Sequence, residues 1–234
     1  MPDAWDFSQK PQRAGPTFQV PILTYLLVGL SVLITVAHLM PGGEPGGFWD
    51  RIGHFGMAEG PGAATWGLFT TIFIHGDWYH LAFNMLWLLQ LGRILENTLS
   101  PLAYLAFIVG AAVIGSGCEM LISGLPGIGM SGVVYAMFAL MWAGRGLYPA
   151  WASVATRDNL RFFLLWGLFC LIVTYIPILH FGVANGAHGG GFLFGLCIGF
   201  LFFVPRRRWV WAAPLALLVG VTVFSAIRLH NAYL

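Results

Sequence analysis

The sequence predicts an all-α polytopic membrane protein, a bundle of six core transmembrane helices with a seventh helix at the C-terminal end. Two observations set the class. Of 234 residues, 58% are apolar and only 9% are charged, against about 25% charged in an ordinary soluble domain. Residues 14–43, 78–92, 97–118, 120–144, 162–205 and 209–227 hold no Asp, Glu, Lys or Arg. An ionised side chain at the bilayer centre costs at least about 2.5 kcal/mol, and a crossing helix takes roughly 20 residues, so such runs read as spans.

Taken along the chain, the first span is expected at 20–40. It follows a polar or mixed segment at 1–19 and lacks a small-residue cleavage site, so it reads as a retained helix rather than a signal peptide. The connection over 41–77 carries Phe48, Trp49, Phe55 and Trp66 among many glycines. Aromatic rings favour the headgroup region, which places this segment partly in the outer interface. Spans two and three are expected at 78–95 and 100–121. The fourth, at 131–145, follows the breaker-rich stretch Ser123-Gly-Leu-Pro-Gly-Ile-Gly129. The 44-residue run at 162–205 must hold two spans, near 160–178 and 186–204, with Pro177, His180 and Asn185 marking the turn. A seventh is expected at 209–228. The chain therefore divides into an N-terminal segment at 1–19, a core at 20–204 and an added helix and tail at 205–234.

Charge orients the bundle. With the N-terminus in the cytoplasm, Lys10, Arg13, Arg93, Arg145, Arg157, Arg161, Arg206, Arg207 and Arg208 lie inside and only Arg51 and Arg228 outside. The positive-inside rule thus gives an N-in, C-out topology. Glu44, Asp50, Glu59, Asp77 and Glu119 then fall on the outer side. A net charge of +2 is too small to suggest nucleic acid, and no phosphate-binding loop is present. Cys118, Cys170 and Cys197 lack paired or ligand spacing and read as small core residues. The histidines are spread over several elements, so neither a metal nor another cofactor is expected.

Three polar clusters stand where a purely structural span would carry Leu or Val. In the first, His75-Gly-Asp-Trp-Tyr-His80-Leu-Ala-Phe-Asn84, His80 and Asn84 share one helix face a turn apart. That face should look into the bundle or a wet cavity, although Asn also serves as plain interhelical glue. The second, Gly129-Met-Ser131-Gly132, opens the fourth span. A helix from Ser131 to Arg145 is about 22 Å long at 1.5 Å per residue, short of a hydrocarbon layer of about 30 Å. If Arg145 anchors it inside, Ser131 lies beneath the outer surface in a polar cavity, beside free N–H groups suited to an oxyanion. Close packing alone would also account for Gly and Ser there. The third, Asn185-Gly-Ala-His188-Gly-Gly-Gly191, opens the sixth span, and Gly191, Gly195 and Gly199 form a bare stripe for close helix approach. Both Ser131 and His188 come near the outer ends of their spans and so sit at similar depth.

Together these clusters resemble the rhomboid family of intramembrane serine proteases: His75, His80 and Asn84 in a His-x4-His-x3-Asn element, Gly129, Ser131 and Gly132 in Gly-x-Ser-Gly, and Ala187-His188 followed by Gly190, Gly191 and Gly195. The resemblance covers residues 20–204 and implies a rhomboid-like core with the extra C-terminal helix that some members carry. It implies that Ser131 is the nucleophile and His188 the general base, then acid, of a Ser–His dyad. Asn84, His80 and the Ser131 N–H would hold the oxyanion at the Gly129 turn, and Tyr135 would pack against the His188 ring. The expected partners are the lipid bilayer and protein substrates with transmembrane segments, cut near the outer face, in a bacterial inner (cell) membrane.

The fifth span, with Phe162, Phe163, Trp166 and Phe169, and the loop at 179–187 are the expected gate and lid. Lipid contact is an equal reading of those rings. Many members carry a Trp-Arg pair nine residues before the first motif His; here it reads Trp66-Gly67, and Arg51 would be the substitute anchor. A non-catalytic relative that binds transmembrane helices would have a broken dyad, whereas both residues are present. A transporter would show repeated halves or charged relays within spans, and neither is seen.

Overall fold

A computed structural model describes residues 20–40, 61–176 and 182–232. The helices are α1 (Ile22–Leu39), α2 (Pro61–Thr70), α3 (Trp78–Glu96), α4 (Pro101–Ser123), α5 (Ser131–Gly144), α6 (Pro149–Val154), α7 (Arg157–Tyr175), α8 (Asn185–Phe203) and α9 (Ala212–Ala232). Short 3-10 segments at Thr71–Phe73 and Pro205–Trp211 follow α2 and α8. Within the described residues, α1, α4, α7, α8 and the stretch Arg208–Asn231 are long and apolar enough to cross a membrane. The chain is a polytopic helical membrane protein.

Helix ends are written locally. Asp77 caps α3 by accepting the His80 N–H at 2.8 Å, Ser100 caps α4 ahead of Pro101, and Thr156 caps α7, each satisfying a first-turn donor. Gly124 ends α4 in the left-handed region, φ 83°. Pro21 offers α1 no such cap. Instead Glu96, at the end of α3, accepts the Leu23 and Thr24 N–H groups at 2.8 and 2.7 Å and the Thr24 hydroxyl at 2.7 Å. The Thr24 and Tyr104 hydroxyls meet at 2.9 Å, so one carboxylate ties α1, α3 and α4 together.

The centre is α5, in which every residue but Ser131 and Trp142 is buried. Helix α8 lies directly on it: a Cβ on Gly191 would collide with the Gly132 carbonyl, and one on Gly195 with that of Ala136. The glycine stripe is therefore the contact face. Helix α4 flanks α8, with Gly190 against Cys118, and α9 packs outside α4, where Thr222 fills the space left by Gly117. At the far end of α5, Arg145 lies over the Trp142 ring at 3.7 Å, and buried Trp151 of α6 donates to Thr98 Oγ1 at 3.0 Å.

All seven expected spans appear as helices, each boundary within four residues of the expected one. Two short helices, α2 and α6, were not expected; ten and six residues without charge alternation give no period to read. Glu119, counted among the outer charges, lies four residues before the end of α4 and is 6% exposed, because its carboxylate turns to the start of α8. The expected features at 1–19, Phe48, Trp49, Arg51, Phe55, Pro177 and His180 lie outside the described residues.

Candidate active site

Ser131 is the first residue of α5, and a pinned turn fixes where that helix starts. Gly129 adopts φ 101°, a left-handed conformation that glycine tolerates without a Cβ penalty. A Cβ there would also come within 2.6 Å of the His80 ring. The Gly129 N–H donates to the Thr71 carbonyl at 3.1 Å, and the Met130 N–H donates to His75 Nε2 at 3.4 Å. Burial pushes the His75 pKa down to about 3, with neighbouring His80 adding to the shift. The ring is thus neutral near pH 7. With Nε2 accepting, Nδ1 carries the proton and donates to Thr35 Oγ1 at 3.1 Å, and that hydroxyl donates to the Phe73 carbonyl at 3.2 Å. A chain of hydrogen bonds therefore runs from α1 to the turn before Ser131.

His188 sits in the first turn of α8. Its Nε2 is 2.7 Å from Ser131 Oγ. The Tyr135 ring, one turn along α5, stacks on the imidazole with centroids 4.7 Å apart and planes 18° from parallel. Tyr135 also donates its hydroxyl proton to the Phe163 carbonyl of α7 at 2.9 Å. Among the described residues no protein group bonds His188 Nδ1, so the stack and the serine set the ring's orientation. The N–H groups of residues 131–133 have no acceptor within their own helix, since the first such bond is from the Val134 N–H to the Met130 carbonyl. An anion is favoured at such a helix start.

His80 and Asn84 occupy one face of α3. The His80 ring packs edge-on to His75, centroids 4.9 Å apart, and against Gly129. Asn84 is buried, and its Nδ2 donates to the His80 carbonyl at 2.8 Å. Neither side chain hydrogen-bonds Ser131 or His188 among the described residues. His80 stands against Gly129 of the serine turn, and Asn84 lies one turn further along the same face of α3. No group of three His, Cys, Asp or Glu able to hold a metal occurs among the described residues.

A family model for the Rhomboid domain matches residues 62–205, which include every residue of this site except Thr35. The chain belongs to the rhomboid family. Similar proteins include the Rhomboid protease GlpG of Pectobacterium atrosepticum, 28% identical over 189 residues, or 81% of this chain and 63% of that relative. The Rhomboid protease GlpG of Salmonella choleraesuis is 28% identical over 202 residues, or 84% of this chain and 67% of the relative. The chain thus spans about two thirds of the length of these relatives.

In this rhomboid, two features of the site escaped the sequence reading. Glu119 Oε2 accepts the Gly186 N–H at 2.7 Å, two residues before His188. A single acid separating the runs 97–118 and 120–144 was the available signal. The other feature is an aromatic seam beside the dyad. Phe83 stacks on Trp166 at 5.1 Å and Trp87 on Phe162 at 5.5 Å, joining α3 to α7, while Phe163 stacks on Phe138 at 4.4 Å. Of the four α7 rings, Phe163 is buried and Phe169 is exposed, so lipid contact describes only part of the set. At the departure from the Trp-Arg pair, Trp66 is exposed, and the Gly67 carbonyl accepts from Thr71 Oγ1 at 2.7 Å.

Proposed function

We propose that this rhomboid is an intramembrane serine endopeptidase that cleaves transmembrane segments of membrane proteins near the outer face. The observation that carries the reading is the 2.7 Å approach of Ser131 Oγ to His188 Nε2, at the start of a buried helix only 14 residues long. At 1.5 Å per residue that helix spans about 21 Å, short of the hydrocarbon layer by roughly 9 Å. The reacting hydroxyl is thereby set below the surface.

Ser131 Oγ attacks the scissile carbonyl carbon while its proton passes to His188 Nε2. The resulting oxyanion is held by the Ser131 N–H and by side-chain donors from His80 and Asn84. Collapse of the tetrahedral species breaks the C–N bond, and the imidazolium returns its proton to the leaving amine. Water, deprotonated by His188, then attacks the acyl carbon, and the imidazolium returns that proton to Ser131 Oγ as the ester bond breaks. Only an unwound stretch of substrate helix exposes its carbonyl, so substrates are spans weakened near their outer end. Helix α7 is the side through which such a span enters. The core at 20–204, the added helix at 205–234, the N-in and C-out topology and a bacterial inner membrane belong to the same proposal.

The test is cleavage of a single-span substrate by the protein reconstituted in liposomes. Ser131→Ala is expected to abolish it, and Asn84→Ala to slow it by about 10²–10³. Cleavage that survives Ser131→Ala would overturn the proposal, while full turnover in Asn84→Ala would remove that side chain from the oxyanion site.

A further inference from the structure

Away from the dyad, a groove of 530 Å³ opens between α1 and α3, lined by Tyr25, Leu86, Leu89, Gln90 and Arg93. We propose that it holds one anionic phospholipid, its phosphate on Arg93 and an acyl chain along Leu86 and Leu89. The polarity of the lining runs in that order. Arg93 lies one turn from the end of α3 and Tyr25 one turn from the start of α1, at the same end of the bundle. Leu86 is seven residues before Arg93, about 10 Å deeper along the helix. Arg93, Gln90 and Tyr25 thus lie toward the end of the bundle, with Leu86 deeper along α3. Tyr25 at the polar end and Leu86 at the apolar end are 47% and 60% exposed, so the groove is open to lipid along its length.

The charge is uncommitted. Arg93 Nε donates to the Leu89 carbonyl at 2.8 Å, which holds the side chain back along the groove. No carboxylate pairs with its guanidinium among the described residues. Glu96, the acid one turn on, is turned to the Leu23 and Thr24 N–H groups and the Thr24 hydroxyl. A planar guanidinium with free N–H groups matches two oxygens of a phosphodiester. Placing this lipid in the cytoplasmic leaflet rests on the topology proposed above; the groove's preference for an anionic headgroup does not.

The test uses the full chain in phosphatidylcholine nanodiscs containing a minor fraction of a photoactivatable phosphatidylglycerol, with cross-linked peptides mapped by mass spectrometry. Cross-links are expected in the peptides around Tyr25 and Leu86 to Arg93, with a matched phosphatidylcholine probe near background. Arg93→Gln should lower the label about five-fold, the effect of one basic group on an anionic headgroup. Leu86→Trp, which fills the apolar end, should lower it independently. Excess inorganic phosphate should leave the label unchanged, and its loss would reassign the site to a free anion. Equal labelling by both lipids, or unchanged labelling in Arg93→Gln, would overturn the proposal. Increased labelling after removal of residues 2–18 would do so as well, by showing that the chain's own N-terminal segment fills the groove. None of these readouts depends on proteolysis, so a failed lipid site and a failed catalytic assignment are separately visible.

Discussion

With no carboxylate on Nδ1, the His188 ring depends on how accurately α8 begins. Glu119 controls that start through the Gly186 N–H. Losing a buried acceptor strands the donor, at a cost of about 1–3 kcal/mol. Glu119→Leu is therefore expected to lower thermal stability and turnover together, whereas Glu119→Gln, which keeps a carbonyl oxygen, should restore most of both. A Leu variant indistinguishable from wild type in melting and cleavage would show that the contact positions nothing. At this scale, Ser131, His188, His80 and Asn84 were legible because polar groups in lipid carry a cost that demands a reason. Glu119 was not, because an acid between two apolar runs looks the same whether it ends a span or turns inward. Nor could the relay from Thr35 through His75 to Met130 be read, since it joins residues 40 and 55 positions apart.

Among the helices around the dyad, α7 is the least buried. Only Phe163, Cys170 and Val173 are buried along its 19 residues. Its polar ties beyond the helix itself include the Tyr135 hydroxyl on the Phe163 carbonyl and the Asn185 amide on Thr174 Oγ1 at 2.8 Å. Aromatic stacking adds to these, Phe83 on Trp166 and Trp87 on Phe162 against α3 and Phe163 on Phe138 against α5, at about 0.5–1.5 kcal/mol per pair. If α7 must part from α3 to admit substrate, Phe83→Ala or Trp166→Ala should raise turnover by about two- to ten-fold while leaving the dyad intact. Turnover unchanged or lowered, in a variant that still melts as wild type, would place substrate passage elsewhere. The helices themselves were readable from charge-free length. The seam was not, because periodicity says which face is apolar but not which neighbour it meets.

At the scale of the molecule, the bundle is organised by one short buried helix and the glycine face laid against it. Composition alone identified a membrane protein, and the stripe of Gly191, Gly195 and Gly199 identified a close helix contact. The Ser131–His188 pairing already implied that the stripe meets α5, whereas the atoms in contact, Gly191 and Gly195 on the Gly132 and Ala136 carbonyls, became visible only in three dimensions. The placement of α9 behind α4 was likewise unreadable, since its apolar face is nearly continuous. What this architecture achieves is a hydroxyl and an imidazole brought together where lipid would otherwise be. The direct measurement is active-site labelling of the reconstituted protein with a fluorophosphonate, with the adduct located by mass spectrometry. A single adduct on Ser131 is predicted, absent from Ser131→Ala and strongly reduced in His188→Ala. An unlabelled wild type, or equal labelling of all three proteins, would contradict the assignment of an activated serine.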